Sequence, residues 1–139
     1  SIAKGNTAMA KAIHMMIRVL DEARSVKFYE TCFGLKISEK KDWPDFSLTY
    51  MKNAENDFEV ELTVNKGRTE PYDLGNGYGH LALSVQEVGV EHKRLTEAGL
   101  NPGKIVELNR DGKLLALFFF ITDPDGYKIE VLQRHGRYL

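Results

Sequence analysis

The chain has 139 residues, with 19 basic against 20 acidic side chains and a formal charge of −1. So even a balance gives no electrostatic footing for nucleic acid or an anionic membrane, and no apolar run approaches the roughly 20 residues of a membrane-spanning helix. Cys32 is the only cysteine, which excludes an internal disulfide and, with no charged-then-apolar leader in view, reads as a cytoplasmic protein.

Residues 1–11 are small and polar and read as a loose terminus. Ile13–Val19 is a strand by composition: Ile13, Met15, Ile17 and Val19 share one face, His14, Met16 and Arg18 the other. Asp21 is placed to cap a helix over Glu22–Phe33, with Val26, Tyr29 and Phe33 as its apolar stripe, flanked by Phe28 and Cys32, and Gly34 where a left-handed residue ends it. Leu35–Glu39 and Phe46–Met51 read as strands around a turn at Trp43-Pro44-Asp45. Phe58–Asn65 is a fourth, with Val60, Leu62 and Val64 opposed to Glu61, Thr63 and Asn65.

Residues 67–77 carry Gly67, Pro71, Gly75 and Gly77 and form a linker. The same order of elements then begins again. Tyr78–Val85 is a strand containing His80, Gln86–Ala98 a helix closed by Gly99, and Lys104–Leu108 a weaker strand. Leu114–Thr122 is aromatic and apolar, Asp123-Pro124-Asp125-Gly126 is turn chemistry, and Tyr127–Gln133 leaves the turn with Glu130 between Ile129 and Val131. His92 on a polar helix and His135 in the tail read as surface residues. Parity sets Phe119 on the opposite face from Phe118 and Phe120.

A duplicated βαβββ unit accounts for this order, with modules at 12–66 and 78–134. His14 and His80 each sit early in a first strand, and Glu61 and Glu130 each in a last one. Glu61 follows His14 by 47 positions and Glu130 follows His80 by 50. A carboxylate inside an apolar strand is costly unless charge compensates it. Two imidazoles and two carboxylates suit a divalent cation of borderline hardness and leave coordination positions open, as catalysis requires. Periodicity leaves open whether the halves meet within one chain or across a dimer. Arg18 and Asn65 lie four residues beyond His14 and Glu61 on the same faces, about 13 Å along the strands. There a guanidinium and an amide can hold the anionic end of an elongated substrate. Ser84 and Arg134 take those places in the second half.

Ile13–Val19, Glu59–Asn65, Gly79–Val85 and Asp123–Glu130 resemble the signature strands of glyoxalase I, lactoylglutathione lyase, in the vicinal-oxygen-chelate superfamily. The similarity runs from Ile13 to Leu132. It implies paired βαβββ modules with curved mixed sheets (an α+β fold), and homodimers whose sites form between modules of different chains. The substrate it implies is the hemithioacetal of methylglyoxal and glutathione, isomerised to S-D-lactoylglutathione through an enediolate. The metal ligands then fall on His14, Glu61, His80 and Glu130, with Glu130 the principal base and Glu61 the matching carboxylate. Arg18 and Asn65 fall on the contacts to the γ-glutamyl group. Lys113 is the nearest match for the basic residue usual before the aromatic strand, and Asn76 stands where some members carry a basic residue. The short form resembles the bacterial type, which implies one nickel or zinc per site, with cobalt possible. Other metal-dependent members of the superfamily (epimerases, thiol transferases, dioxygenases) and metal-free binding proteins are the alternative readings.

Overall fold

The structure is a computed structural model that describes residues 7–139. Two compact units divide the chain, the first ending at Arg68 and the second spanning Thr69–Leu139. The first contains β1 (His14–Arg18), α1 (Glu22–Phe33), β2 (Lys36–Asp42), β3 (Phe46–Lys52) and β4 (Glu59–Asn65). The second contains β5 (Leu81–Val85), α2 (Val88–Glu97), β6 (Val106–Arg110), β7 (Lys113–Thr122) and β8 (Lys128–Gln133). The sheet orders are β1-β4-β3-β2 and β5-β8-β7-β6. In each, the first strand pairs parallel with the last and the other neighbours are antiparallel. The expected α+β fold of two βαβββ modules with mixed sheets is therefore present. Of the terminus expected to be loose, residues 7–11 are exposed and without regular structure; residues 1–6 lie outside the described residues.

In the first unit the sheet's two faces differ as alternation predicts. Ile17, Val19, Thr49, Met51, Val60 and Leu62 are buried on the face that forms the core, together with Ser25, Phe28, Tyr29 and Cys32 of α1. Helix α1 spans the predicted residues. The Asp21 carboxylate accepts from the Arg24 amide at 3.1 Å, and Gly34 takes φ 65° at the other end. Its buried stripe is Ser25-Phe28-Tyr29-Cys32, however, and not Val26-Tyr29-Phe33. Tyr29 and the flanking Phe28 and Cys32 belong to both, but Val26 and Phe33 are only half-buried, at the edge of the contact. The small Ser25, fully buried, lets the helix approach the sheet.

The second unit repeats this plan. Phe119, Ile121, Ile129 and Val131 are buried with Val88 and Leu95 of α2. Glu87 makes no side-chain capping bond at the start of α2. Instead Gln133, at the end of β8, accepts from the Val88 amide at 2.9 Å and donates to the Gln86 carbonyl. The β6–β7 hairpin turns on Asp111 (φ 53°) and Gly112 (φ 74°), a two-residue turn needing left-handed backbone at both positions. That turn carries β6 on to Arg110, beyond the predicted Leu108. Between β7 and β8, the Asp123 carboxylate accepts from the Asp125 and Tyr127 amides at 2.9 and 3.0 Å. Gly126 has φ 97°, so the Asp-Pro-Asp-Gly segment joins two strands as predicted. His80 lies one residue before β5 and not within it. Pairing with β8 begins at Leu81↔Ile129, because the chain beyond Lys128 is already turning.

Candidate metal centre

One register rule builds the functional face of both sheets. His14 is opposite Glu59 in the parallel β1–β4 pair, so Glu61 is its diagonal neighbour on the same face. The His14 Nε2 to Glu61 Oε1 distance is 3.3 Å. In the second unit the same diagonal relation brings His80 Nε2 to 3.3 Å from Glu130 Oε1. Two ligands about 2.1 Å from one ion and at right angles to each other would stand roughly 3.0 Å apart, so both pairs have the spacing of adjacent ligands. Among the described residues no three His, Cys, Asp or Glu side chains come together. Each unit therefore presents a His–Glu pair of its own.

The donors fit a divalent cation. Glu61 is only 7% exposed, and its carboxylate faces the His14 imidazole, a nitrogen donor beside an oxygen donor. The Thr63 hydroxyl donates to Glu61 Oε2 at 3.3 Å. Tyr50 stands opposite Glu61 in the antiparallel β3–β4 pair, on the same face. Burial, and after it the Glu61 carboxylate, push the Tyr50 phenol above its ordinary value. The Tyr50 ring also meets His14 edge-on, with centroids 5.9 Å apart. Around Glu130 the corresponding place on β7 is filled by Phe120, which meets His80 edge-on at 5.2 Å. The residue two beyond Glu130 is Leu132, where the first unit has Thr63.

The rule extends further along the strands. Arg18 is opposite Thr63, so Asn65 is its diagonal neighbour, and Arg18 Nη1 donates to Asn65 Oδ1 at 2.9 Å. The predicted guanidinium and amide thus stand side by side on the face that carries His14 and Glu61. Phe46 is opposite Asn65 and stacks on Trp43 at 4.5 Å, which adds an aromatic flank to that end. In the second unit Arg134 Nε donates to Ser84 Oγ at 3.3 Å in the equivalent position.

Lys113 does not join this group. It opens β7 at the hairpin tip, seven residues before Phe120 and about 23 Å away along an extended strand. His92 is more than a surface residue: its Nε2 lies 2.9 Å from the Gly103 carbonyl and its ring meets Phe119 edge-on at 5.2 Å. His135 is exposed, with Nε2 3.0 Å from the Leu114 carbonyl. Cys32 is buried packing within α1. A cleft of about 440 Å³ beside the start of β1, lined by Lys11, Ile13, Asn56, Asp57 and Phe58 among others, contains none of the four ligand candidates. Tyr50 and Thr63 were not singled out from sequence. Alternation sets Thr63 on the face of Glu61, whereas Tyr50 needed the β3–β4 register.

Comparison with known proteins agrees with this geometry. Residues 11–131 match the Glyoxalase/Bleomycin resistance protein/Dioxygenase superfamily. A protein of Synechocystis named probable lactoylglutathione lyase is 40% identical over 131 residues, covering 90% of this chain and 96% of its own. The lactoylglutathione lyase of Salmonella typhimurium is 35% identical over 127 residues, covering 88% and 92%. Among solved structures, the trypanothione-dependent glyoxalase I of Leishmania major superposes with a TM-score of 0.73 at 32% identity, over 90% of this chain and 87% of that one. With a diagonal His–Glu pair in each of two βαβββ units and a match across residues 11–131, the chain belongs to the glyoxalase/bleomycin resistance protein/dioxygenase superfamily.

Proposed function

We propose that this chain is a glyoxalase I, a lactoylglutathione lyase that isomerises the hemithioacetal of methylglyoxal and glutathione to S-D-lactoylglutathione. The observation that carries the reading is the repeated His–Glu pair, His14–Glu61 and His80–Glu130, at one spacing on equivalent faces. All four positions expected of the family's ligands hold the right residue types. Two pairs of two donors also favour a homodimer, in which His14 and Glu61 of one chain meet His80 and Glu130 of a second. Nickel or zinc, or else cobalt, suits a nitrogen and oxygen donor set of this kind.

A divalent cation held there supplies Lewis acidity toward the vicinal oxygens of the substrate. The chain's own residues supply the rest. Arg18 and Asn65 bind the γ-glutamyl end of the thiol, with the guanidinium pairing to its carboxylate. Glu130 takes the proton from the carbon bearing sulfur and returns it to the adjacent carbon, which is general acid–base work through one carboxylate. Glu61 faces it as the second carboxylate. Phe118 and Phe120, half-buried on the same face as Glu130, wall the site against water. Lys113, at the far end of β7 from Phe120, is the candidate for the glycyl carboxylate.

The deciding experiment follows thioester absorbance from methylglyoxal and glutathione, with chelated protein reloaded with nickel or with zinc. Turnover that vanishes on chelation and returns with one metal is the expected result. Metal-independent turnover, or none with either metal, would overturn the reading. Trypanothione in place of glutathione tests the thiol.

A further inference from the structure

The register that sets Arg18 beside Asn65 operates again in the second unit, with the strands exchanged. Ser84 is opposite Leu132 in the parallel β5–β8 pair, so Arg134 is its diagonal neighbour, and Arg134 Nε donates to Ser84 Oγ at 3.3 Å. In the first unit the guanidinium comes from the first strand and its short polar neighbour from the last; in the second unit the sources are reversed. The Arg134 amide donates to the Val85 carbonyl at 2.9 Å, which ties its backbone to β5 although β8 ends at Gln133. Ser84 follows His80 by four residues and Arg134 follows Glu130 by four, so the half-buried pair lies roughly 13 Å along the same face. Lys113 is at this end of the unit as well, since His135 Nε2 lies 3.0 Å from the carbonyl of the adjoining Leu114. It is the more distant cation, about 23 Å from Phe120 along β7.

A substrate with one acidic end needs one guanidinium at this distance from the His–Glu pairs. The structure has two, and the thiol of the proposed reaction has two carboxylates, one γ-glutamyl and one glycyl. We propose that Arg134 and Ser84 form a second carboxylate-binding pair, which takes the glycyl carboxylate of the thiol and selects the free acid over an amide at that end. This rests on the glyoxalase reading and adds to it a residue that sets specificity. The Ser84 hydroxyl orients the guanidinium, which pairs with a carboxylate through charge-assisted bonds that a neutral amide oxygen does not match.

The test is calorimetric titration of the full-length, metal-loaded protein with S-hexylglutathione and with its glycyl amide. The wild type should bind the free acid about tenfold to a hundredfold more tightly, as expected for a bond between charged groups. Arg134→Ala should lose that preference by weakening the acid and leaving the amide as it was. Arg134→Lys, which keeps the charge without the planar fork, should recover part of it. In turnover Arg134→Ala should raise KM with kcat little changed, since Glu130 is untouched. Lys113→Ala should cost the acid less than Arg134→Ala does. Equal binding of acid and amide by the wild type overturns the assignment without recourse to any variant. So does an Arg134→Ala protein that loses affinity for both alike, or a larger loss in Lys113→Ala. In those cases thioester formation by the wild type leaves the proposed function standing. A wild type that prefers the acid but does not isomerise the hemithioacetal defeats the function and keeps the carboxylate site.

Discussion

The two modules share strand order, pairing pattern and a His–Glu diagonal, yet their functional faces have diverged. The first is polar: Tyr50, Thr63, Arg18 and Asn65 surround or extend the His14–Glu61 pair. The second is apolar near its pair, with Phe118, Phe120 and Leu132 around Glu130. The repeated unit keeps the His–Glu diagonal in both modules while the residues around it differ. In the proposed reading the first face would hold the thiol, while the second sets its carboxylate beside aromatic rings.

The largest expected effect breaks the comparison at its chemical end. Glu130→Gln should reduce turnover by about 10²–10⁴-fold with metal still bound. Near-normal kcat in that variant would remove Glu130 from the role of base. Next, Arg18→Ala should weaken binding of an S-alkylated glutathione by about tenfold to a hundredfold, as expected for a lost bond to a charged group. Trp43 is the only tryptophan and sits against Phe46 at this end, so quenching of its fluorescence reports the titration. An unchanged dissociation constant would move the γ-glutamyl group elsewhere.

The helices offer a smaller contrast. Asp21→Ala should cost about 1 kcal/mol in chemical denaturation. Gln133→Ala should cost a comparable amount, because α2 takes its cap from the end of β8 and not from Glu87. If Gln133→Ala is silent, that long-range cap is incidental. The smallest effect concerns Asp42, whose carboxyl is held below the usual range by the Lys66 ammonium 2.7 Å away. A lowered folded-state value means that this contribution is present above the ordinary carboxylate value of about 3.9 and is lost as pH falls toward the folded one. The gap in urea midpoint between wild type and Asp42→Asn should therefore close in acid. A gap that persists unchanged would show that the ion pair is not its source.

Much of the scaffold was legible in the sequence because local chemistry and tertiary demand agree there. Asp21 and Gly34 bound α1 at both ends, and the alternation of residue types in Glu59–Asn65 separates core from functional face. Legibility failed where neighbours decide. Strand β2 is exposed throughout and charged on both faces, so nothing in Lys36–Asp42 marks where it stops. The buried stripe of α1 depends on which small side chain the sheet accepts, and that is Ser25. Thr49 is fully buried with no bonding partner for its hydroxyl among the described residues, in a place where β7 has Phe119; composition gives no sign of it. Tyr50 escaped notice because its significance lies in the residue opposite.

Each His–Glu pair joins the first strand of its module to the last, so 47 residues in one case and 50 in the other must be in place before the donors meet. Contacts this distant in sequence are costly in chain entropy and form late during folding. A nascent chain consequently exposes isolated imidazoles and carboxylates, each a poor trap for a cation, until its module is complete. Metal capture would thus signal maturation, and a refolding time course should show chelation following the recovery of sheet structure.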